Sequence, residues 1–75
     1  MDYRQRIISD HKIMLGKPII KGTRITVEQI LKKLSSGETV KEILEAYPHI
    51  TKADVMAAID YAASVISSEV MINGK

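Results

Sequence analysis

The apolar residues of this chain change rhythm near residue 25. Before it they come in tight groups, Ile7-Ile8, Ile13-Met14-Leu15 and Ile19-Ile20, set among polar residues, glycine and proline. Pairs of β-branched residues suit short strands. Pro18 fixes its own φ and disfavours helix at Lys17, so the second strand begins extended, and Gly22 gives freedom for a tight turn after it. Ile7-Ile8 and Ile19-Ile20 pair either with each other, as a hairpin with a long connection, or with strands of a second subunit. Ser9-Asp10 is placed to open a turn between them, and Ile13-Met14-Leu15 to supply apolar contacts above the elements that follow.

Beyond residue 25 the apolar positions recur three and four apart, which is the helical period. Three helices are announced in the same way, by Thr26…Gln29, Thr39…Glu42 and Thr51…Asp54. In each, the threonine hydroxyl can accept a backbone N–H of the first turn while the later side chain reaches back to the threonine N–H. The shorter Asp54 makes the third box the weakest. The first helix is expected over about Val27–Ser36, with Val27, Ile30, Leu31 and Leu34 on one face and Gly37 as its left-handed end. Ile25 and Ile30, and again Ile50 and Val55, are spaced as hydrophobic staples.

The second helix, about Val40–Tyr47, buries Val40, Ile43, Leu44 and Tyr47 and is stopped by Pro48. The third starts after Thr51 with the stripe Val55, Ile59, Ala62 and Ile66, flanked by Ala58 and continuing in spacing to Val70. Its outward face is then Ala53, Ala57, Asp60, Ser64 and Ser67. Asn73-Gly74-Lys75 should fray. The expected fold is mainly α in a single domain over residues 1–75. Short N-terminal β-strands or a hairpin occupy residues 1–25, and a three-helix, homeodomain-like helix-turn-helix bundle occupies residues 26–72.

Size sharpens this picture. A chain of 75 residues without cysteine has neither disulfides nor thiolate metal sites to hold it. Chains this small bury only about 60–65% of their unfolded surface. A homodimer built from the N-terminal strands would supply the missing cover. Neither a signal-peptide run nor a membrane-spanning segment is present in the sequence, and the expected location is the cytoplasm.

The net charge of +2 is unevenly spread: residues 1–37 carry eight basic groups against three acids, residues 38–75 three against six. The basic end can attract phosphate. Lys17, Lys21, Arg24, Lys32 and Lys33, with Lys52 at the start of the third helix, are the candidate contacts to double-stranded DNA. Ordinary solubilising charge is the competing account of Lys32 and Lys33, and Arg24 is equally suited to bridging the turn to a helix of its own fold. The third helix lacks on its outward face the Arg, Asn and Gln that read bases, so sequence-specific recognition is not expected from it.

Catalysis has little to stand on. Gly16-Lys17 is followed by Pro18 and lacks the earlier glycine of a phosphate-binding loop. His11 and His49 are isolated, so neither a metal site nor a cofactor is expected. His11 can bond locally to Asp10, and His49 belongs to the Pro48–Thr51 turn.

The string GKPIIKGTRITV over residues 16–27, preceded by Ile8-Ser9-Asp10 and followed by LKKLSSGETVKEILEAYPHIT, resembles the DUF433 family of small bacterial and archaeal proteins. The likeness spans about residues 7–63, and its Gly-Lys-Pro, Gly-Thr-Arg-Ile and Tyr-Pro elements are specific. It implies an antitoxin-like protein with a helix-turn-helix fold, encoded beside a PIN-like toxin. Function is therefore expected to be binding: neutralisation of a PIN-like toxin nuclease, with operator DNA bound by a dimer. The alternative is an interaction or dimerisation module without DNA affinity. Val70, Met71 and Ile72, beyond the core helices, are the candidate partner contacts.

Overall fold

A computed structural model of the chain describes residues 2–68. A 3-10 turn, Tyr3–Gln5, leads into strand β1 (Ile7–Ile8), and a second, Met14–Gly16, lies beyond it. Strand β2 (Ile19–Ile20) follows, and then helices α1 (Val27–Ser35), α2 (Val40–Ala46) and α3 (Lys52–Ser67). The strands pair with each other, antiparallel, with Ile7 opposite Ile20 and Ile8 opposite Ile19. On its other side β2 meets the chain entering α1: Ile20 N donates to Ile25 O at 2.9 Å and Val27 N to Pro18 O at 2.9 Å. The Pro18–Val27 stretch is thus a strand, a turn and a helix start tied to one another.

Gly22 sits in that turn at φ 81°. Thr23 Oγ1 donates to Ile20 O at 2.7 Å and accepts from Ile25 N at 3.0 Å, which closes the loop. No atom lies within 4 Å of where a Cβ on Gly22 would stand, so only the backbone conformation resists a side chain. Gly22→Val should therefore cost about 1 kcal/mol, visible as a lower urea midpoint. An unchanged midpoint would mean that the turn can be made without a left-handed residue.

All three capping boxes form. Gln29 N donates to Thr26 Oγ1 at 3.0 Å, Glu42 N to Thr39 Oγ1 at 3.1 Å and Asp54 N to Thr51 Oγ1 at 3.3 Å, the last being the longest, as the short aspartate implies. The return bonds from the threonine N–H groups are 2.8, 2.8 and 2.9 Å. α1 ends in a Schellman motif: Gly37, at φ 94°, donates to Leu34 O at 3.0 Å, and Glu38 N donates to Lys33 O at 3.1 Å.

The core is one cluster. Ile7 and Ile20 from the strands meet Val27 and Ile30 of α1, Ile43 of α2, Ile50, and Val55, Ala57 and Ala58 of α3. The ribbon is covered within the chain, with Ile7, Ile19 and Ile20 at 6%, 0% and 2% exposure. The strands thus give no reason of their own for a second subunit. Tyr3 adds cover that the sequence did not suggest, its ring edge-on to Tyr61 with centroids 5.2 Å apart.

α3 is turned from its expected face. Ala57, expected outside, is fully buried, while Ile59 and Ile66, expected in the core stripe, are exposed. Asp60, also expected outside, accepts the Tyr3 N–H at 3.2 Å. The reason is size. Ala57 and Ala58 let α3 approach its neighbours closely, and isoleucines at those places would hold it away. In a helix apolar nearly all round, closeness of approach rather than hydropathy selects the inner face. A second departure is Leu15, expected to pack above the helices but 93% exposed.

Candidate functional site

The candidate basic residues differ in how they are bonded. Lys17 Nζ binds Glu28 Oε1 at 3.0 Å, with Lys32 close enough to act on the same carboxylate. Lys33 is folded onto its own protein, 3.6 Å from Glu38 and 5.4 Å from the centroid of the Tyr47 ring. Arg6 holds Asp54 at 3.0 Å, tying the end of the 3-10 turn to the first turn of α3. Lys21 and Arg24 lie exposed on the Gly22 turn, and neither side chain makes a hydrogen bond or ion pair among the described residues. Arg24 thus bridges to no helix. It shares with His49 the rim of an apolar hollow of about 530 Å³ floored by Ile8, Ile13, Ile19 and Ile25. Lys52 opens α3, exposed, beside Lys41, Val40 and Leu44.

Among the described residues, two glutamates have their pKa pulled below the ordinary value. For Glu42 the causes are the hydrogen bonds from the Thr39 backbone and hydroxyl; for Glu28 they are the bond from Lys17, that lysine's charge and then Lys32. Both carboxylates stabilise the fold when ionised. Their contribution is present above pH 4.5 and is lost as the pH falls below it. Glu42→Gln keeps an acceptor for the Thr39 N–H but cannot ionise. The melting-temperature advantage of wild type over this variant is expected near neutral pH and should shrink steadily below pH 4.5. An advantage independent of pH would remove the charge from the account of this cap.

The most exposed large apolar side chains among the described residues lie at two places. The first is the turn before β2. Asp10 Oδ1 accepts from Lys12 N at 2.9 Å, and Asp10 O accepts from Ile13 N at 2.8 Å, which bends the chain away from β1. Met14, Leu15 and Gly16 then follow at φ 51°, 58° and 82°, three left-handed residues in a row. Gly16 N to Ile13 O and Lys17 N to Met14 O, each 3.1 Å, hold them. A left-handed conformation costs a non-glycine residue about 1–2 kcal/mol, and here two residues carry it. Its product is a leucine standing almost free of the protein.

The second place is a groove of about 560 Å³ between α1 and the end of α3. Val27 and Leu31 form one wall, and Tyr61, Ala62, Val65 and Ile66 the other. Glu28 and Lys32 stand on its α1 side. Val65 is 41% and Ile66 67% exposed. The proposed contacts Val70, Met71 and Ile72 lie outside the described residues. Among the described residues no group of three potential metal ligands gathers, and no helix is long and apolar enough to cross a membrane.

The sequence model of DUF433, described as a protein of unknown function, matches residues 7–62. The chain belongs to the DUF433 family. The matched span runs from β1 through the core part of α3 and so contains the turn before β2 and all three capping boxes. The chain is 30% identical over 59 residues to the uncharacterized protein y4eO of Sinorhizobium fredii (strain NBRC 101917 / NGR234). That match covers 79% of this chain but 27% of the relative, so this chain spans about a quarter of that protein's length. An uncharacterized protein of Archaeoglobus fulgidus is 58% identical over 24 residues, 32% of this chain and 67% of the other. No solved structure matches the chain.

Signals for the second surface were present in the sequence, in the apolar residues Val65 and Ile66. The periodicity placed Ile66 in the core. No sequence signal pointed to Leu15, because an Ile-Met-Leu run reads as buried.

Proposed function

We propose that this DUF433 protein is an antitoxin-like binding protein of the cytoplasm that neutralises a PIN-like toxin nuclease by direct contact. The observation that carries the reading is Leu15, 93% exposed on a turn whose left-handed backbone works against folding. Strain of this kind persists where the surrounding structure enforces it, and it concentrates at sites that engage a ligand. An exposed leucine on a braced loop is an anchor for a pocket on another protein. The family resemblance supplies the kind of partner, a PIN-like nuclease encoded alongside. No catalytic role is proposed.

Operator DNA is a second reading, favoured by Lys21 and Arg24 standing unbonded on one turn. Two phosphate contacts give a log–log salt slope of about −1.8, so affinity would fall about tenfold between 50 and 200 mM salt. Discrimination between promoter and unrelated duplex should be small, since the exposed part of α3 offers Lys52, Ile59 and Ala63 rather than base-reading amides or arginines.

Co-expression with the product of the adjacent reading frame tests the first reading. Wild type should co-purify in stoichiometric amount and suppress the partner's nuclease activity, and Leu15→Glu should do neither. Equal capture by Leu15→Glu would move the contact elsewhere, and no capture by wild type would defeat the reading. Titration of promoter and unrelated duplexes at two salt concentrations, with wild type and Lys21→Glu/Arg24→Glu, tests the second. Absence of binding at low salt would end it.

A further inference from the structure

We infer that the hollow beside the Gly22 turn binds a free carboxylic acid with a medium-length aliphatic chain. Arg24 holds the carboxylate, and the chain lies on the isoleucines of the floor. Strand alternation builds that floor. Ile7 and Ile20, opposite each other, enter the core shared with the helices, so Ile8 and Ile19, the next pair, face the other way. Ile19 is fully buried yet no member of that core, while Ile8, Ile13 and Ile25 around it are only half-buried. The hollow, about 530 Å³, is walled entirely by residues 8–49. Its size is that of a small-molecule site, and such sites are mostly apolar with a few polar groups that fix orientation.

The charge at its rim is unspent. Among the described residues the Arg24 side chain makes no hydrogen bond or ion pair, whereas Arg6, Lys17 and Lys33 each hold an acid of this chain. A guanidinium presents paired N–H groups that match the two oxygens of a carboxylate. His49, at the same rim, can add a ring N–H. Thr23 has no donor left, because its N–H and its hydroxyl both go to Ile20 O.

Other occupants meet only part of this. Duplex DNA brings phosphates without an apolar body and leaves the isoleucines in water. A neutral hydrocarbon leaves Arg24 unpaired. A peptide laid along the rim would need main-chain partners there. Ile13 and Ile25 have none to give: Ile13 N donates to Asp10 O and Ile25 N to Thr23 Oγ1, while Ile13 O accepts from Gly16 N and Ile25 O from Ile20 N. A free aliphatic acid satisfies both the floor and the rim. The inference rests on neither the toxin reading nor the DNA reading.

Titration of the isotope-labelled chain with octanoate, followed by its amide resonances, tests it. Octanoate should give saturable shifts at Ile8, Ile13, Ile25 and His49. Acetate, which keeps the charge without the chain, should give none at the same concentrations. Octanol, which keeps the chain without the charge, should bind at least about tenfold more weakly. Arg24→Gln should weaken octanoate at least about tenfold and leave the rest of the spectrum in place, since that side chain is exposed and unbonded. Lys21→Glu, on the same turn but outside the hollow, should change the affinity much less. No saturable shifts with octanoate, or shifts centred on the α1/α3 groove, would overturn the inference. Undiminished binding by Arg24→Gln, or octanol binding as tightly as octanoate, would overturn the carboxylate head, and acetate binding as tightly would overturn the aliphatic chain.

Discussion

Replacing Leu15 by asparagine is expected to raise the melting temperature by about 4–8 °C and to weaken binding of the proposed toxin partner at least about thirtyfold. The two effects share one cause. Leu15 sits at φ 58°, ψ 29°, a conformation that asparagine tolerates and leucine resists. Because Leu15 is almost wholly exposed, its removal leaves no cavity and the relief of strain, about 1 kcal/mol, is all that remains. In a complex the same leucine would be buried, and losing a central apolar anchor commonly costs about 2 kcal/mol or more. A side chain kept at a loss to the folded chain and a gain to a complex is the expected signature of a binding residue. Thermal denaturation and calorimetric titration read the two effects separately. A variant that is less stable than wild type would mean that Leu15 is held for the fold itself.

The second large effect is on the core. Ile30→Ala is expected to destabilise by about 2–5 kcal/mol. Ile30 is fully buried and belongs to the cluster shared by the strands and all three helices. It also lies at the staple position opposite Ile25, so its loss loosens the entry into α1 as well as the centre. A chain of this length has about 4–11 kcal/mol in total. One methyl-rich side chain therefore carries a large share of folding, and Ile30→Ala should be partly unfolded at 37 °C. The check is a urea titration, in which the midpoint should fall sharply while the slope stays the same. A loss below 1 kcal/mol would show that the cluster repacks around the gap.

Local chemistry made most of the fold legible. The three Thr-x-x-Gln/Glu/Asp boxes marked each helix start to the residue, because a capping box fixes its partners by spacing alone. Gly37 and Pro48 marked two ends for equally local reasons. The inner face of α3 was not legible, since Ala57 and Ala58 win their place by letting helices come close, and that depends on the neighbours. The hairpin register was not legible either, as two-residue strands carry no alternation to read. At the candidate site the basic residues were visible one by one, but their ion pairs were not. Lys17 with Glu28 and Arg6 with Asp54 join segments 11 and 48 residues apart. Leu15 was hidden for a different reason: its exposure follows from three successive left-handed residues, of which the sequence announces only Gly16.

The most direct test is amide resonance mapping of the isotope-labelled chain as the proposed PIN-like partner is added. The proposed contact predicts the largest shifts, and new protection from exchange, at residues 13–17, with the amides of α2 little changed. Shifts confined to α2 and the start of α3, or no change at stoichiometric partner, would contradict it.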